Sequence, residues 1–431
     1  MKKYSAIVIG AGNRGAAYVS HMKKLPEKYE VVGVADPVPE RREHIRRMFG
    51  LSESVCYSDC FDILAQPKMA DIAIIATMDD SHYEPALRAI EKGYHLLLEK
   101  PVAQTAQECI DIANAARKKG VKVLVGHVLR YTPFFQTIKK MVMDGAVGRV
   151  MSVLQVEGVG HIHQSHSYVR GSWHREEETT PMLLAKCCHD LDIIQWLIDR
   201  PCTKVSSFGS LSHFTPENAP KNAPERCFEQ ACPASDTCPY QSERVYKQAP
   251  TWMRLAVGKS YGKDIIPSDE EINESLRHTN YGACVYRAGN DVVDHQVVNM
   301  EFEDGATASL IMNAFNKGGR YIRIFGTKGE IYAHVGAQEI TYYNLITAEQ
   351  KNIPLEEVNE TQGGGHGGGD AGLIRELYEY LNESYEGYCA ADIDISVQNH
   401  LIGFAAEQAR HNDTVENVIA FGEKLGFTLK K

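Results

Sequence analysis

The turn Gly10-Ala11-Gly12-Asn13-Arg14-Gly15 follows directly on the apolar run Ala6-Ile7-Val8-Ile9, and few local patterns restrict a chain as tightly. Gly10 permits a sharp bend out of a strand, Gly12 leaves the backbone open to a pyrophosphate, and Gly15 lets the next helix lie close to the strand. The helix N-terminus then faces an anion. A glycine triplet by itself also fits a plain strand-to-helix turn. Here, however, Asp36 ends a second apolar run about 20 residues further on, where its carboxylate can accept hydrogen bonds from an adenosine ribose. Its charge would repel a 2′-phosphate, so the pattern predicts NAD rather than NADP. Arg41 and Arg42 either reach toward such a phosphate or form a solvated helix face.

From residue 4 to about 127, short β-rich runs at 6–9, 31–35, 72–76, 95–98 and 121–125 alternate with helical patterns, which predicts a doubly wound parallel sheet. Ser81-x-x-Glu84 and Thr105-x-x-Glu108 read as capping boxes, and Gly93 and Gly120 as helix stops. Beyond Gly126 the rhythm becomes hairpin-like: 297–302, a Glu303-Asp304-Gly305 turn, 307–312, then 321–325 and 330–334. Helical patterns at 181–198, 370–385 and 396–410 accompany them. The chain therefore divides into a Rossmann domain at 1–126, an α+β domain with a large, mainly antiparallel sheet at 127–412, and a C-terminal segment at 413–431. Residues 213–292, rich in Pro, Asn, Cys and charge, read as an insertion.

A length of 431 residues with 43% hydrophobic content supports two sizeable cores. Forty-six Lys and Arg against 56 Asp and Glu leave a net charge of −10 with no basic run, which argues against nucleic acid. The first strand ends within a few residues at the glycine turn, unlike a signal peptide, and no stretch approaches the roughly 20 apolar residues of a membrane span. A soluble, cytoplasmic protein is expected. Most of the eleven cysteines lie among apolar neighbours, as reduced thiols do.

Lys100, in Leu98-Glu99-Lys100-Pro101, is delivered by a strand end of the same sheet that seats the dinucleotide. Oxidising a secondary alcohol needs a hydride acceptor at carbon and a base at the hydroxyl, and Lys100 and His189 are the candidates. Lys100 equally fits a salt bridge with Glu99, and His189 a core histidine. Thr77 and His82 fall near the crevice or act as helix caps. Lys186 and His189, three apart on the predicted helix, share a face.

These residues resemble the glucose–fructose oxidoreductase, inositol dehydrogenase and MocA (Gfo/Idh/MocA) family: the 10–15 turn, Asp36, Ala76-Thr77 with His82, Glu99-Lys100-Pro101, and the helix carrying His189. The resemblance spans nearly the whole chain. It implies a Rossmann domain plus an open α/β domain, bound nicotinamide, a homo-oligomer (dimer or tetramer), and chemistry on sugars or cyclitols. It assigns Gly10, Gly12, Asn13, Arg14, Gly15, Asp36, Thr77, His82, Glu99 and Lys100 to the cofactor and Lys100 and His189 to catalysis, with Lys186 a third catalytic candidate that would take over, with opposite charge, part of the hydrogen bonding of a family carboxylate this chain lacks. One departure stands out. The family pattern has an Asp four residues before the His, where this chain has Ala185 followed by Lys186.

Candidates for the sugar pocket are His127, Arg130, Tyr131, Tyr168, Arg170, Trp173 and His174, whose rings stack on pyranose faces or whose polar groups bind hydroxyls. Trp173 also suits a core, and Arg170 a pairing with Glu176–Glu178. His366 and Asp370 flank the glycine loop 363–369, a closing loop or a linker. Cys227, Cys232 and Cys238, with His213, could form a Cys3His zinc site, though free thiols or a disulfide fit the spacing too. Three activities compete: an NAD-dependent sugar or cyclitol dehydrogenase, an NAD-dependent glycoside hydrolase acting by transient oxidation and elimination, and a non-catalytic NAD sensor.

Overall fold

The apolar runs of the N-terminal half are buried on both faces, the environment of a parallel sheet covered by helices. In the computed structural model, which describes residues 2–228, 231–258, 266–355, 367–382 and 384–428, this sheet has six strands, of which all but the half-buried edge pair Cys56–Tyr57 meet this condition. The six are β1 (Tyr4–Ile9), β2 (Tyr29–Ala35), β3 (Cys56–Tyr57), β4 (Ile72–Ile75), β5 (His95–Leu98) and β6 (Val123–Val125). Their order is β3-β2-β1-β4-β5-β6, and every pairing is parallel. The strand order reverses between β1 and β4, so a crevice opens beyond their C-terminal ends.

The glycine turn sits at that crevice. Gly10 has φ +87°, and a Cβ there would lie 2.5 Å from the Ala76 carbonyl oxygen. A Cβ on Gly15 would fall 2.0 Å from the Gly10 carbonyl oxygen, so the helix Asn13–Lys23 can leave β1 this closely only without a side chain. The Thr105–Glu108 capping box forms, and Gly120 closes the same helix in the left-handed conformation. The Ser81–Glu84 box does not. Ser81 ends a one-turn helix, and the next helix, Tyr83–Glu91, starts after His82, whose ring is held elsewhere.

Nine strands make the second sheet: β7 (Val150–Gly158), β8 (Cys202–Ser210), β9 (His295–Phe302), β10 (Thr307–Asn313), β11 (Gly319–Gly326), β12 (Gly329–His334), β13 (Glu339–Asn344), β14 (Glu349–Pro354) and β15 (Glu416–Asn417). The order is β14-β13-β12-β11-β7-β10-β9-β8-β15. β7 lies between β10, to which it is parallel, and β11, to which it is antiparallel; the remaining pairs are antiparallel. One face packs beneath the helices Cys188–Ile198 and Ile393–Asn412. On the other face the register aligns Phe208, Val297, Ile311, Val156 and Tyr321 in a single row across five strands, with Phe208 61% and Ile311 37% exposed.

The pattern at 181–198 is not one helix. Met182–Ala185 and Cys188–Ile198 are separated by Lys186 and Cys187, whose backbones leave the helical geometry (φ −116° at Lys186, ψ 0° at Cys187). The segment after 413 adds β15 to the sheet edge and the helix Val418–Lys424. Between β8 and β9 lie the helices Ser242–Lys247, Thr251–Gly258 and Asp269–His278 with two small apolar clusters of their own. Among the described residues, no helix is long and apolar enough to cross a membrane.

Because the Gly15–Gly10 approach leaves no room for a methyl group, Gly15→Ala is expected to cost about 2 kcal/mol or more and to abolish dinucleotide binding. Thermal unfolding and NAD titration by quenching of protein fluorescence check both effects.

Candidate active site

The cradle at the crevice fits a dinucleotide. The helix Asn13–Lys23 begins at Gly12 with no side chain capping its first amides, and a Cβ on Gly12 would meet nothing nearer than 3.6 Å. Asn13 is exposed at its start. Asp36 is buried at the end of β2, where it accepts the Ala11 amide at 2.7 Å and the Val38 amide at 2.8 Å. Its carboxylate thus ties the glycine turn to the second strand. Arg41 stands 3.6 Å from it, while Arg42 donates to the Asp36 carbonyl at 2.6 Å.

Arg14 has a different place from the one the motif suggests. Its Nε donates to Glu99 at 2.7 Å, and Nη1 and Nη2 donate to Asp370 at 3.1 and 2.7 Å. The guanidinium bridges β5 and the helix Gly369–Leu381, so it anchors rather than offers donors to a pyrophosphate. Asp370 is accordingly half of a buried ion pair and not a sugar ligand. Glu99 also accepts the Tyr18 hydroxyl. Burial alone would raise the Glu99 pKa, but Arg14 and Lys100 outweigh it and hold the carboxyl below its ordinary value. The same carboxylate accepts the Lys100 amide at 2.8 Å.

Lys100 does not pair its ammonium with Glu99. It reaches across to the second domain and donates to the Ala185 carbonyl at 3.0 Å. At position 185 it is therefore the backbone oxygen that receives the cation. His82 fixes the turn that carries Lys100: one ring nitrogen meets the Pro101 carbonyl at 2.8 Å and the other the Thr77 carbonyl at 3.2 Å. Both His82 nitrogens are engaged, and the Thr77 hydroxyl donates to Ser81 at 2.8 Å. These two residues shape the β4 and β5 ends. Asp79, buried beside Lys100, accepts the Trp173 indole N–H at 2.9 Å.

His189 lies in the first turn of Cys188–Ile198, buried, with its ring 5.8 Å from that of His127. The His127 ring is 5.7 Å from His400. Burial pushes the His127 imidazole down to about 4, and the Arg130 and Lys100 charges push the same way. Lys100, His127 and His189 thus converge at the domain boundary. Lys186, in the break between the two helices, pairs with Glu157 of β7 at 3.6 Å. Arg320 of β11 joins Glu157 at 2.7 Å and Asp190 at 2.9 Å, and Gln155 donates to Asp190 at 2.8 Å. Burial first, then Arg320 and Lys100, lower the Lys186 pKa. Two cations and two carboxylates balance in this cluster.

Other candidates part ways. Tyr168 is buried beside Cys187, Glu157 and Asp79, with its ring 6.3 Å from that of Trp173. His174 is half-buried beyond Trp173. Arg130 is not a sugar ligand: it is 1% exposed and bidentate to Asp192 at 2.7 and 2.6 Å. Tyr131 is buried against Gly372, and its hydroxyl accepts the Ala391 amide. Arg170 is likewise internal; it donates to the Ala283 and Tyr240 carbonyls at 2.9 Å each and leaves the acidic run 176–178 alone. His366 lies outside the described residues.

The proposed Cys3His set does not assemble. His213 sits in an aromatic nest with Nε2 3.4 Å from the Tyr286 hydroxyl and its amide on Asp294. Among the described residues, the one group of three metal-type ligand atoms within 4.8 Å of each other is Glu176, Glu407 and His411, and Arg410 already pairs with both of those glutamates.

Glu157, Asp190, Arg320, Asp79 and His400 escaped the sequence reading. For Asp190 and Asp192 a signal existed, since two carboxylates directly after His189 interrupt an apolar helix. Glu157 and Arg320 meet only through strand pairing, and nothing in the sequence marks it.

A dinucleotide cradle joined through a lysine-bearing strand end to a histidine helix defines an NAD-binding oxidoreductase. Residues 4–127 match the NAD-binding Rossmann fold, and residues 139–416 the C-terminal alpha/beta domain, of the Gfo/Idh/MocA oxidoreductase family, to which this chain belongs. It is 28% identical over 395 residues to the putative oxidoreductase YteT of Bacillus subtilis (strain 168), covering 86% of this chain and 88% of that protein. Over 202 residues it is 25% identical to the inositol 2-dehydrogenase/D-chiro-inositol 3-dehydrogenase of Lactiplantibacillus plantarum, covering 47% of this chain and 54% of that protein. The fold matches levoglucosan dehydrogenase in complex with NADH and L-sorbose with a TM-score of 0.69 at 19% identity, over 97% of this chain and 99% of that one.

Two outcomes follow from the buried charges. Removing one partner of the Arg130–Asp192 pair strands the other, so Asp192→Ala should cost about 3–5 kcal/mol in urea unfolding. His400 accepts the Val102 amide at 3.0 Å and faces the Ser396 carbonyl at 2.7 Å, which sets it neutral, and burial holds it down at about 3 against an unfolded value of 6.5. A depressed histidine binds its proton only on unfolding, so its contribution is complete above pH 6.5 and falls as pH drops. Between pH 6.5 and 5, stability should therefore fall less steeply in His400→Gln than in wild type, by roughly 1 kcal/mol per pH unit.

Proposed function

We propose that the protein transfers hydride between nicotinamide and a secondary hydroxyl of a sugar, sugar derivative or cyclitol. The observation that carries this reading is the Lys100 ammonium held at the Ala185 carbonyl and beside His127, whose ring neighbours that of His189. Bound nicotinamide would supply the hydride acceptor. Gly10, Gly12, Gly15, Asn13 and Asp36 hold the dinucleotide. Lys100 donates to the substrate hydroxyl and orients it, and His189 takes its proton as the C–H bond breaks. Lys186, paired with Glu157, sets the charge beside this proton transfer. Tyr168 and Trp173 supply ring faces for a sugar. The inositol dehydrogenase relative supports a polyhydroxylated substrate.

The second reading, NAD-dependent glycoside cleavage through transient oxidation, uses the same groups and differs in its product. Incubation with NAD and a panel of free sugars, cyclitols and aryl glycosides separates the two. Net NADH is the expected result; released aglycone without NADH would replace the dehydrogenase reading with the hydrolase one, and neither product would sink both. Lys100→Met should retain NAD binding while kcat falls about 10²–10⁴-fold, and His189→Ala should lower kcat on a similar scale with NAD binding kept.

All eleven cysteines are free thiols, which supports a cytoplasmic setting. The apolar row Phe208, Val297, Ile311, Val156 and Tyr321 supports a homo-oligomer assembled through the open sheet face. Light scattering should give a multiple of 48.0 kDa, and Ile311→Asp should shift it toward monomer; a monomeric wild type would refute this assembly.

A further inference from the structure

Four of the eleven cysteines gather in the lobe between β8 and β9, away from the hydride-transfer groups. Cys227 and Cys284 come from segments that meet at an antiparallel bridge between Arg226 and Ala283. Flanking that bridge, the Cys227 amide donates to Gly282 at 2.7 Å and the Cys284 amide to Glu225 at 2.9 Å. Cys232 and Cys238 lie on the tight turn that follows, which the Cys238 amide closes on the Ala234 carbonyl at 2.8 Å. All four thiols are half-buried and none is in a disulfide.

The backbone around them is arranged for sulfur carrying negative charge. The Ser242 amide donates to Cys227 Sγ at 3.2 Å. Tyr240 and Tyr286 each stand two residues after a cysteine, and their amides point at Cys238 and Cys284. The thiols are within electrostatic reach of one another, Cys238 of Cys227 and Cys232, and Cys284 of Cys227 and Cys238. Arg170 supplies a second, independent sign. It is 2% exposed and bonds the carbonyl just before Cys284 and that of Tyr240. Its charge reaches Cys238 and Cys284, so a buried cation stands ready to face the thiolates of a bound centre.

We propose that Cys227, Cys232, Cys238 and Cys284 form a four-thiolate site for a thiophilic metal centre, a zinc ion or an iron–sulfur cluster, which staples this lobe. Cys284, some fifty positions from the other three, takes the place that spacing alone gave to His213. Each ligating thiol releases its proton to solvent on binding, and the resulting negative shell faces Arg170. No three of the sulfurs lie within 4.8 Å of one another, so binding draws the shell together. A single zinc brings its sulfurs to about 3.8 Å, from Zn–S bonds of about 2.3 Å, whereas a cluster holds its thiolates further apart. The lobe has reason to need a staple: its two apolar clusters are small, and domains with cores of that size rely on metals or disulfides.

The test uses the full chain, purified without chelator from cells supplied with zinc and iron, and measured by elemental analysis, visible absorption and X-ray absorption. About one zinc per chain with four sulfur neighbours near 2.3 Å is one supporting result; iron with acid-labile sulfide and a visible charge-transfer band is the other, and the pair tells the occupants apart. Cys284→Ser should lose the metal, and His213→Gln should keep it. If Cys284→Ser fails to fold, alkylation of the wild-type protein carries the test, with these four thiols protected until a chelator strips the centre. Metal-free protein from such cells, nitrogen or oxygen ligation, prompt alkylation of the four thiols, or a disulfide between any two of them would each overturn the proposal.

Discussion

The Arg14 guanidinium joins three parts of the molecule at once. It leaves the first turn of the helix behind the glycine turn, meets Glu99 at the end of β5, and meets Asp370 at the start of a second-domain helix. Glu99 in turn accepts the Lys100 amide. The position of the catalytic candidate, the dinucleotide cradle and the domain boundary are therefore set by one charge-assisted cluster whose carboxylates are almost wholly buried. Loss of Arg14 would leave two buried carboxylates without their cation, which is more costly than the pair itself is stabilising.

Much of this architecture is legible in the sequence because its causes are local. Strands buried on both faces read as continuous apolar runs, so β1, β2, β4, β5 and β6 stand out, and the 10–15 turn carries its own explanation in the van der Waals limits at Gly10 and Gly15. The hairpins β9–β10 and β11–β12 announce themselves by alternation and turn residues. β7 is harder to see, since its inward positions include Gln155 and Glu157, polar residues where alternation leads one to expect apolar ones. They are inward because they bind the charges beside the cleft.

The site was legible in its anchors and not in its wiring. Lys100 and His189 come from different domains yet sit around a shared neighbour, His127. What periodicity could not supply was the interruption at Lys186–Cys187, because a helical pattern continues smoothly through those positions. The break turns Lys186 toward Glu157 and frees the Ala185 carbonyl for Lys100. Arg130, Arg170 and Tyr131 were drawn to the pocket by residue type, whereas burial shows them holding the framework; an arginine two per cent exposed with carbonyl partners is a structural rivet.

The row of side chains across the open sheet face has a geometric consequence. Phe208, Val297, Ile311, Val156 and Tyr321 stand at paired register positions on adjacent strands, so they form a straight ridge perpendicular to the chain direction rather than a scattered patch. A ridge has two ends that differ, Phe208 at one and Tyr321 at the other. A second copy laid face to face about a twofold axis at right angles to the ridge runs its ridge in reverse, setting phenylalanine toward tyrosine, and under any twofold every single replacement along the line is felt twice.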